Sequence, residues 1–137
     1  TYIETVTDEN ILQWLESHLY LVTLGPRIST YNVLENKKIN YEGAKALADA
    51  AAECWQAIMQ RDIVKFGKAF TGSFHAQVAM FPNMVDSEII KTIDEYSTGT
   101  MGCKLSGAGG GGYLIFVSEK PVKNAVQIKI RRPSLSV

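Results

Sequence analysis

Residues 104–112 read Lys-Leu-Ser-Gly-Ala-Gly-Gly-Gly-Gly, five glycines and an alanine between a Lys-Leu-Ser entry and the apolar run Tyr113–Val117. Ordering that many glycines costs conformational entropy, and a hairpin rarely needs more than one or two. Successive amides unshielded by side chains can converge on phosphate oxygens, so the chemistry on offer is anion binding. The alternative is a glycine-rich bend or bulge that turns the chain sharply into the next strand. Gly107-x-Gly109-x-x-Gly112 matches the dinucleotide fingerprint letter for letter, but that motif must open a helix. Here the glycines lead into a strand. A Walker loop needs Gly-Lys-Ser/Thr after its glycines, whereas Lys104 precedes these and Tyr113 follows them.

Other reactive side chains form no constellation. Cys54 and Cys103 have neither metal-ligand spacing nor a disulfide framework. His18 and His75 lack an acidic, Ser or Cys partner at useful spacing, although Ser73 and Gln77 lie near His75. Fourteen Lys plus Arg balance fourteen Asp plus Glu, which argues against a general nucleic-acid or membrane-surface binder. The terminal Lys-Ile-Arg-Arg run, 129–132, reads as a solvated strand face. No apolar run reaches membrane-span length and no signal-peptide layout opens the chain, so the expected compartment is the cytoplasm.

The elements that must carry the loop follow from periodicity. At 137 residues, 46% of them hydrophobic, the chain is expected to form one domain with a real core. Residues 1–7 suggest a short strand, and Asp8 caps a brief helix carrying Ile11, Leu12 and Leu15. The β-branched and apolar run 19–24 is a buried strand stopped by Gly25-Pro26, followed by an irregular connection. A helix from the Asn40 cap to Gln60 carries Ala44, Leu47, Ala48, Ala51, Trp55, Ile58 and Met59 at helical spacing. Asp62 caps a second, with Ile63, Phe66, Phe70, Phe74, Val78 and Phe81 in one stripe ended by Pro82. Asp86 caps a third, whose apolar face is Ile89, Ile90, Ile93 and Tyr96. Residues 113–117 are a covered strand, and 125–132 alternate with Val126, Ile128 and Ile130 inward. Strands at both ends with helices between predict an α+β ferredoxin-like sandwich, a four-stranded antiparallel sheet with helices on one face.

The stretch 104–117 resembles the third signature motif of the GHMP kinases, where a Lys-x-Ser/Thr-Gly-Ala-Gly-x-Gly-Gly loop enters a strand of the C-terminal domain. The segments at 19–27, 73–89 and 128–132 are similar to the sugar-kinase branch related to heptose-7-phosphate kinase and fucokinase, so the resemblance spans the whole chain. It implies a C-terminal domain, residues 1–137, of a kinase moving the ATP γ-phosphate to a sugar or sugar-phosphate hydroxyl. The family's other phosphate loop, its catalytic carboxylate and its Mg²⁺ ligands belong to an N-terminal domain. No Pro-x-x-x-Gly-Leu-Gly-Ser-Ser-Ala stretch exists here. The chain opens on Thr1 and is expected to be part of a longer protein, inactive by itself. Its expected partners are the N-terminal kinase domain, with ATP and Mg²⁺, and the acceptor. Exposed apolar patches could also pair into a homodimer.

By this resemblance Ser106, Gly107, Ala108, Gly109 and Gly110 form a loop beside the γ-phosphate, with Lys104 adding positive charge; an ordinary strand-edge lysine is the alternative. The turn at 79–89 faces the acceptor, which makes Asn83 and Met84 candidates for contact with it. Asp86 reads more simply as a cap, and Met80 as core. Arg27 suits bidentate recognition of a phosphate or carboxylate. It falls one position early relative to the branch's Thr-Gly-x-x-Arg turn, and Leu24 replaces the threonine. No metal ligand is expected in the chain. A rival reading is a non-catalytic ferredoxin-like ligand-binding or regulatory module, since that architecture hosts many functions.

Overall fold

A computed structural model describes residues 2–25, 35–107 and 112–132. The order is α1 (Glu9–Ser17), β1 (Leu19–Thr23), α2 (Tyr41–Gln60), α3 (Ile63–Met80), a 3₁₀ turn (Pro82–Met84), α4 (Ser87–Ser97), β2 (Gly102–Ser106), β3 (Tyr113–Val117) and β4 (Val126–Gln127). All four helix starts follow the capping rule, in which a side-chain oxygen satisfies an orphan amide of the first turn. Asp8 accepts from Asn10, Asn40 from Gly43, Asp62 from Lys65 and Asp86 from Ile89, at 2.7–3.1 Å. Arg61, at φ 54°, reverses the chain between α2 and α3.

The antiparallel sheet has the order β2-β3-β1-β4, giving the expected α+β ferredoxin-like arrangement. Its register sets Tyr20, Phe116 and Cys103 in one row and Val22, Leu114 and Leu105 in another. Alternation puts both rows on the same face. There Phe74 of α3, Ile89 of α4 and Met84 cover them as the main core. Leu19 and Val117 belong to the opposite face. One end of that face is covered too, because Ala57, Phe66, Trp14 and Met101 gather around Val117 in a second core.

Helix α3 serves both cores by passing over the edge strand β2. At the crossing Gly67 meets Gly102 so closely that a Cβ on either would run into the other segment's backbone. The outer edge of β2 does not go unpaired: Thr71 Oγ1 accepts the Cys103 amide at 3.1 Å. Sequence periodicity had no strand at 102–106, since its edge partner is a helix some thirty residues earlier.

Four expectations need correction. Residues 2–8 form no strand, and Tyr2 and Ile3 lie 84% and 81% exposed, with no strand among the described residues pairing with them. In α2 the seam against the rest of the protein is Gly43, Leu47, Ala50, Cys54 and Ala57, whereas Ala44, Ala48, Ala51, Trp55 and Met59 face outward. Alanines on both sides of this helix blur its apolar direction by about one residue, or ~100°. A Cβ at Gly43 would lie 2.7 Å from Met80 Cγ, so the tight seam selects the smaller side. In α4, Ile90 is exposed. The last strand is short: Val126 and Gln127 pair with β1, the Ile128 amide adds one bond to the Leu19 carbonyl at 2.9 Å, and Val126 is 67% exposed. Beyond it Glu16 of α1 draws the chain away, accepting the Ile130 amide at 2.8 Å and two donors from Arg132.

Candidate functional site

The site at the loop is built on the β2–β3 hairpin. Ser106 ends β2 and is exposed, and Gly107 follows at φ +89°. Gly112, at φ +92°, brings the chain back into β3. Both angles lie where a Cβ is strongly disfavoured, so these two glycines are required by the backbone path itself. No atom of the described residues comes within 4 Å of a Cβ built at Gly107. The return limb is anchored: Gly112 donates to the Gly25 carbonyl at 2.9 Å, and its own carbonyl accepts from Leu24 at 2.8 Å. The Gly112 amide is therefore spent on β1's extension and is not offered to an anion. Ala108, Gly109, Gly110 and Arg27 lie outside the described residues. Gly25, two positions before Arg27, nevertheless ties the start of that segment to the end of the loop.

Cross-strand register brings in residues that linear reading missed. Thr23, Tyr113 and Ser106 pair in one row at the loop end of the sheet, and all three are exposed. Three hydroxyls thus stand on one face beside the glycines. Only strand pairing could reveal this, because the three residues come from three different strands.

Lys104 shares that face by alternation but turns to α3. Its Nζ donates to Ser73 Oγ at 3.0 Å and to Gln77 Oε1 at 2.8 Å. Partial burial lowers its pKa, and the nearby Cys54 thiol pulls weakly the other way. Neither the solvent-edge lysine nor a side chain lying along the loop describes this placement. Ser73 and Gln77 are one helical turn apart, and two polar residues beside an aromatic stripe were the signal available in the sequence.

The turn at 81–84 divides its candidates. Met84 is 1% exposed and packs in the main core with Phe74 and Leu105, so its side chain fills the interior instead of lining an acceptor pocket. Asn83 sits half-buried at the middle of the 3₁₀ turn. Asp86 is the cap of α4, and Met80 is core. A cavity of about 710 Å³ lies elsewhere, between α3, α4 and the start of β2, lined by Phe74, Val78, Ile93 and Phe116. Burial raises the Cys103 thiol in its wall to about 11. Among the described residues no three His, Cys, Asp or Glu side chains gather to hold a metal. No described helix is long and apolar enough to cross a membrane.

Solved structures share this architecture. A crystal structure of mevalonate kinase superposes with a TM-score of 0.65 at 21% identity, over 85% of this chain and 37% of the kinase. The chain shares the fold of the matched part of that kinase. A Campylobacter jejuni protein assigned as a sugar kinase gives a TM-score of 0.55 at 20% identity, over 86% of this chain and 34% of its own. The chain therefore spans about a third of the length of the structures it matches. No family model matches the sequence, and no curated protein does.

Proposed function

We propose that this GHMP-like domain is the C-terminal part of an ATP-dependent cytoplasmic kinase that phosphorylates a sugar or sugar-phosphate hydroxyl. The observation that carries the reading is the opening of the glycine loop: exposed Ser106 leads into Gly107 at φ +89°, with no atom of the described residues within 4 Å of a Cβ built there. In phosphoryl transfer the protein mainly positions groups and neutralises charge, so preorganised amides near the moving phosphoryl have a direct use. Here the Ser106 hydroxyl and the amides from Gly107 through Gly110 are the groups that would face phosphate oxygens. ATP supplies the phosphoryl group when bound. By resemblance to the GHMP kinases, the metal and the catalytic base would be held by an N-terminal domain of the same protein.

Thr23 and Tyr113 stand beside Ser106 and suit hydrogen bonding to a polyhydroxylated acceptor. Arg27 follows the Gly25–Gly112 anchor by two positions, which fits an acceptor that already carries a phosphate. Asn83 is retained as an acceptor contact from the 81–84 turn. The chain alone is expected to be inactive.

A coupled ADP-release assay tests this on the full-length protein containing the chain, across sugars and sugar phosphates, heptose phosphates included. Acceptor-dependent turnover, lost in Gly109→Val without loss of the fold, is the expected result. No turnover with any acceptor, or full turnover in Gly109→Val, rejects the reading and favours a non-catalytic binding module.

A further inference from the structure

Helix α3 reaches both parts of the proposed site. Its side chains hold β2 just ahead of the glycine loop: Thr71 takes the Cys103 amide, and Ser73 and Gln77 take the Lys104 ammonium. Its C-terminal end delivers the other part, because Phe81 donates to the Gln77 carbonyl at 2.9 Å and opens the turn carrying Asn83. A continuous path of bonds thus runs from Ser106 through Lys104 and Gln77 to Phe81 and the 82–84 turn.

The middle of that path is an unusual choice of side chain. Lys104 is half-buried, and the partners it meets among the described residues are two neutral oxygens. Setting a charge against neutral acceptors is a costly way to hold a strand, and an apolar side chain would pack there at less cost. What the ammonium provides is direction, since its N–H groups fix where the strand sits relative to the helix. Ser73 and Gln77 are successive acceptors on one face of α3, so the strand is located both along and across the helix.

We propose that Lys104 is a positioning residue: its bonds to Ser73 and Gln77 set the spacing between the phosphoryl-binding loop and the acceptor turn, and it does not itself touch phosphate. This deepens the kinase reading and rests on it. A small displacement of one reacting partner from the other can cost on the order of a hundredfold in rate, so a strut between the two parts has kinetic weight.

The test is a double-mutant cycle in the full-length protein with Lys104→Met, Gln77→Leu and both together, assayed with ATP and the most active acceptor of the panel. Each single variant should lower kcat/KM for the acceptor by about tenfold or more, with the KM for ATP within about twofold. The double variant should be no worse than the poorer single, as members of one linkage are not additive. Lys104→Arg, which keeps the donors, should recover part of the loss. Additive losses, or a silent Gln77→Leu beside a crippled Lys104→Met, would reveal direct ammonium–phosphate contact and overturn the proposal.

Amide exchange supplies a readout that needs no turnover. Both single variants should speed exchange at Ser106 and Gly107 and also at Met84, and unchanged exchange at either end overturns the link. A protein that turns over no acceptor would reject the kinase reading while exchange still decides the strut. Should Lys104→Met fail to fold, Ser73→Ala removes one acceptor more gently and carries the same comparison.

Discussion

Arg132 and Glu16 join the end of the described chain to its first helix: Nη1 lies 2.8 Å from Oε2 and Nη2 lies 3.1 Å from Oε1. Glu9, two turns earlier on α1, takes two further donors of the same guanidinium. With the Ile130 amide also on Glu16, this forked arrangement takes over from strand pairing after Ile128, whose amide makes the last backbone bond to β1, on the Leu19 carbonyl at 2.9 Å.

The clamp gives stability a defined pH dependence. Hydrogen bonds from Arg132, then the Ile130 amide, lower the Glu16 carboxyl from 4.5 to about 2. A depressed carboxylate stabilises the folded state above its unfolded pKa, and the gain is lost as pH falls through the folded value. Thermal melts of the wild type should therefore lose Tm between pH 4.5 and about 2 more steeply than melts of Glu16→Gln. Parallel curves for the two proteins would show that the clamp contributes nothing.

The helix–strand crossing should tolerate no methyl group. Gly67→Ala and Gly102→Ala each place a carbon against backbone that cannot rotate away. Each should cost on the order of 2–3 kcal/mol. Urea denaturation would register this as a lower midpoint with an unchanged m-value.

The orientation of α2 can be checked by paired substitutions. Ala51 faces solvent and Ala57 is 1% exposed. Ala51→Leu should change stability by less than about 0.5 kcal/mol, whereas Ala57→Leu overpacks the seam and should cost about 1–3 kcal/mol. Equal effects would rotate the helix back to the direction its alanines first suggest.

The two thiols should react at different rates. Cys103 is buried, with its pKa raised to about 11 by burial, while Cys54 is only partly covered and raised less. Thiolate is the reacting form. At pH 8 an aromatic disulfide reagent should label Cys54 first and Cys103 only under denaturing conditions.

Local chemistry was legible in the sequence and distant chemistry was not. Asp8, Asn40, Asp62 and Asp86 were readable as caps because each satisfies an amide two or three residues away. Gly107 and Gly112 carry their own backbone signal. Strand β2, by contrast, exists as an edge because Gly67 and Thr71 of a preceding helix meet it. Lys104 finds partners 27 and 31 residues away. Alternation along 125–132 implied a longer strand, and a carboxylate on the first helix ended it. The row of Thr23, Tyr113 and Ser106 depends on register between three strands, which no single segment encodes.

The covered flank of the sheet bears on how the protein behaves when concentrated. An open strand edge is a template on which other chains can build fibrils. One side of this sheet is occupied by a helix, with Thr71 on the Cys103 amide, and the other ends in a strand of two residues before α1 captures the chain. Solutions of the folded domain should therefore resist cross-β growth, and Thr71→Val, by freeing one amide of that flank, is the change expected to weaken the resistance.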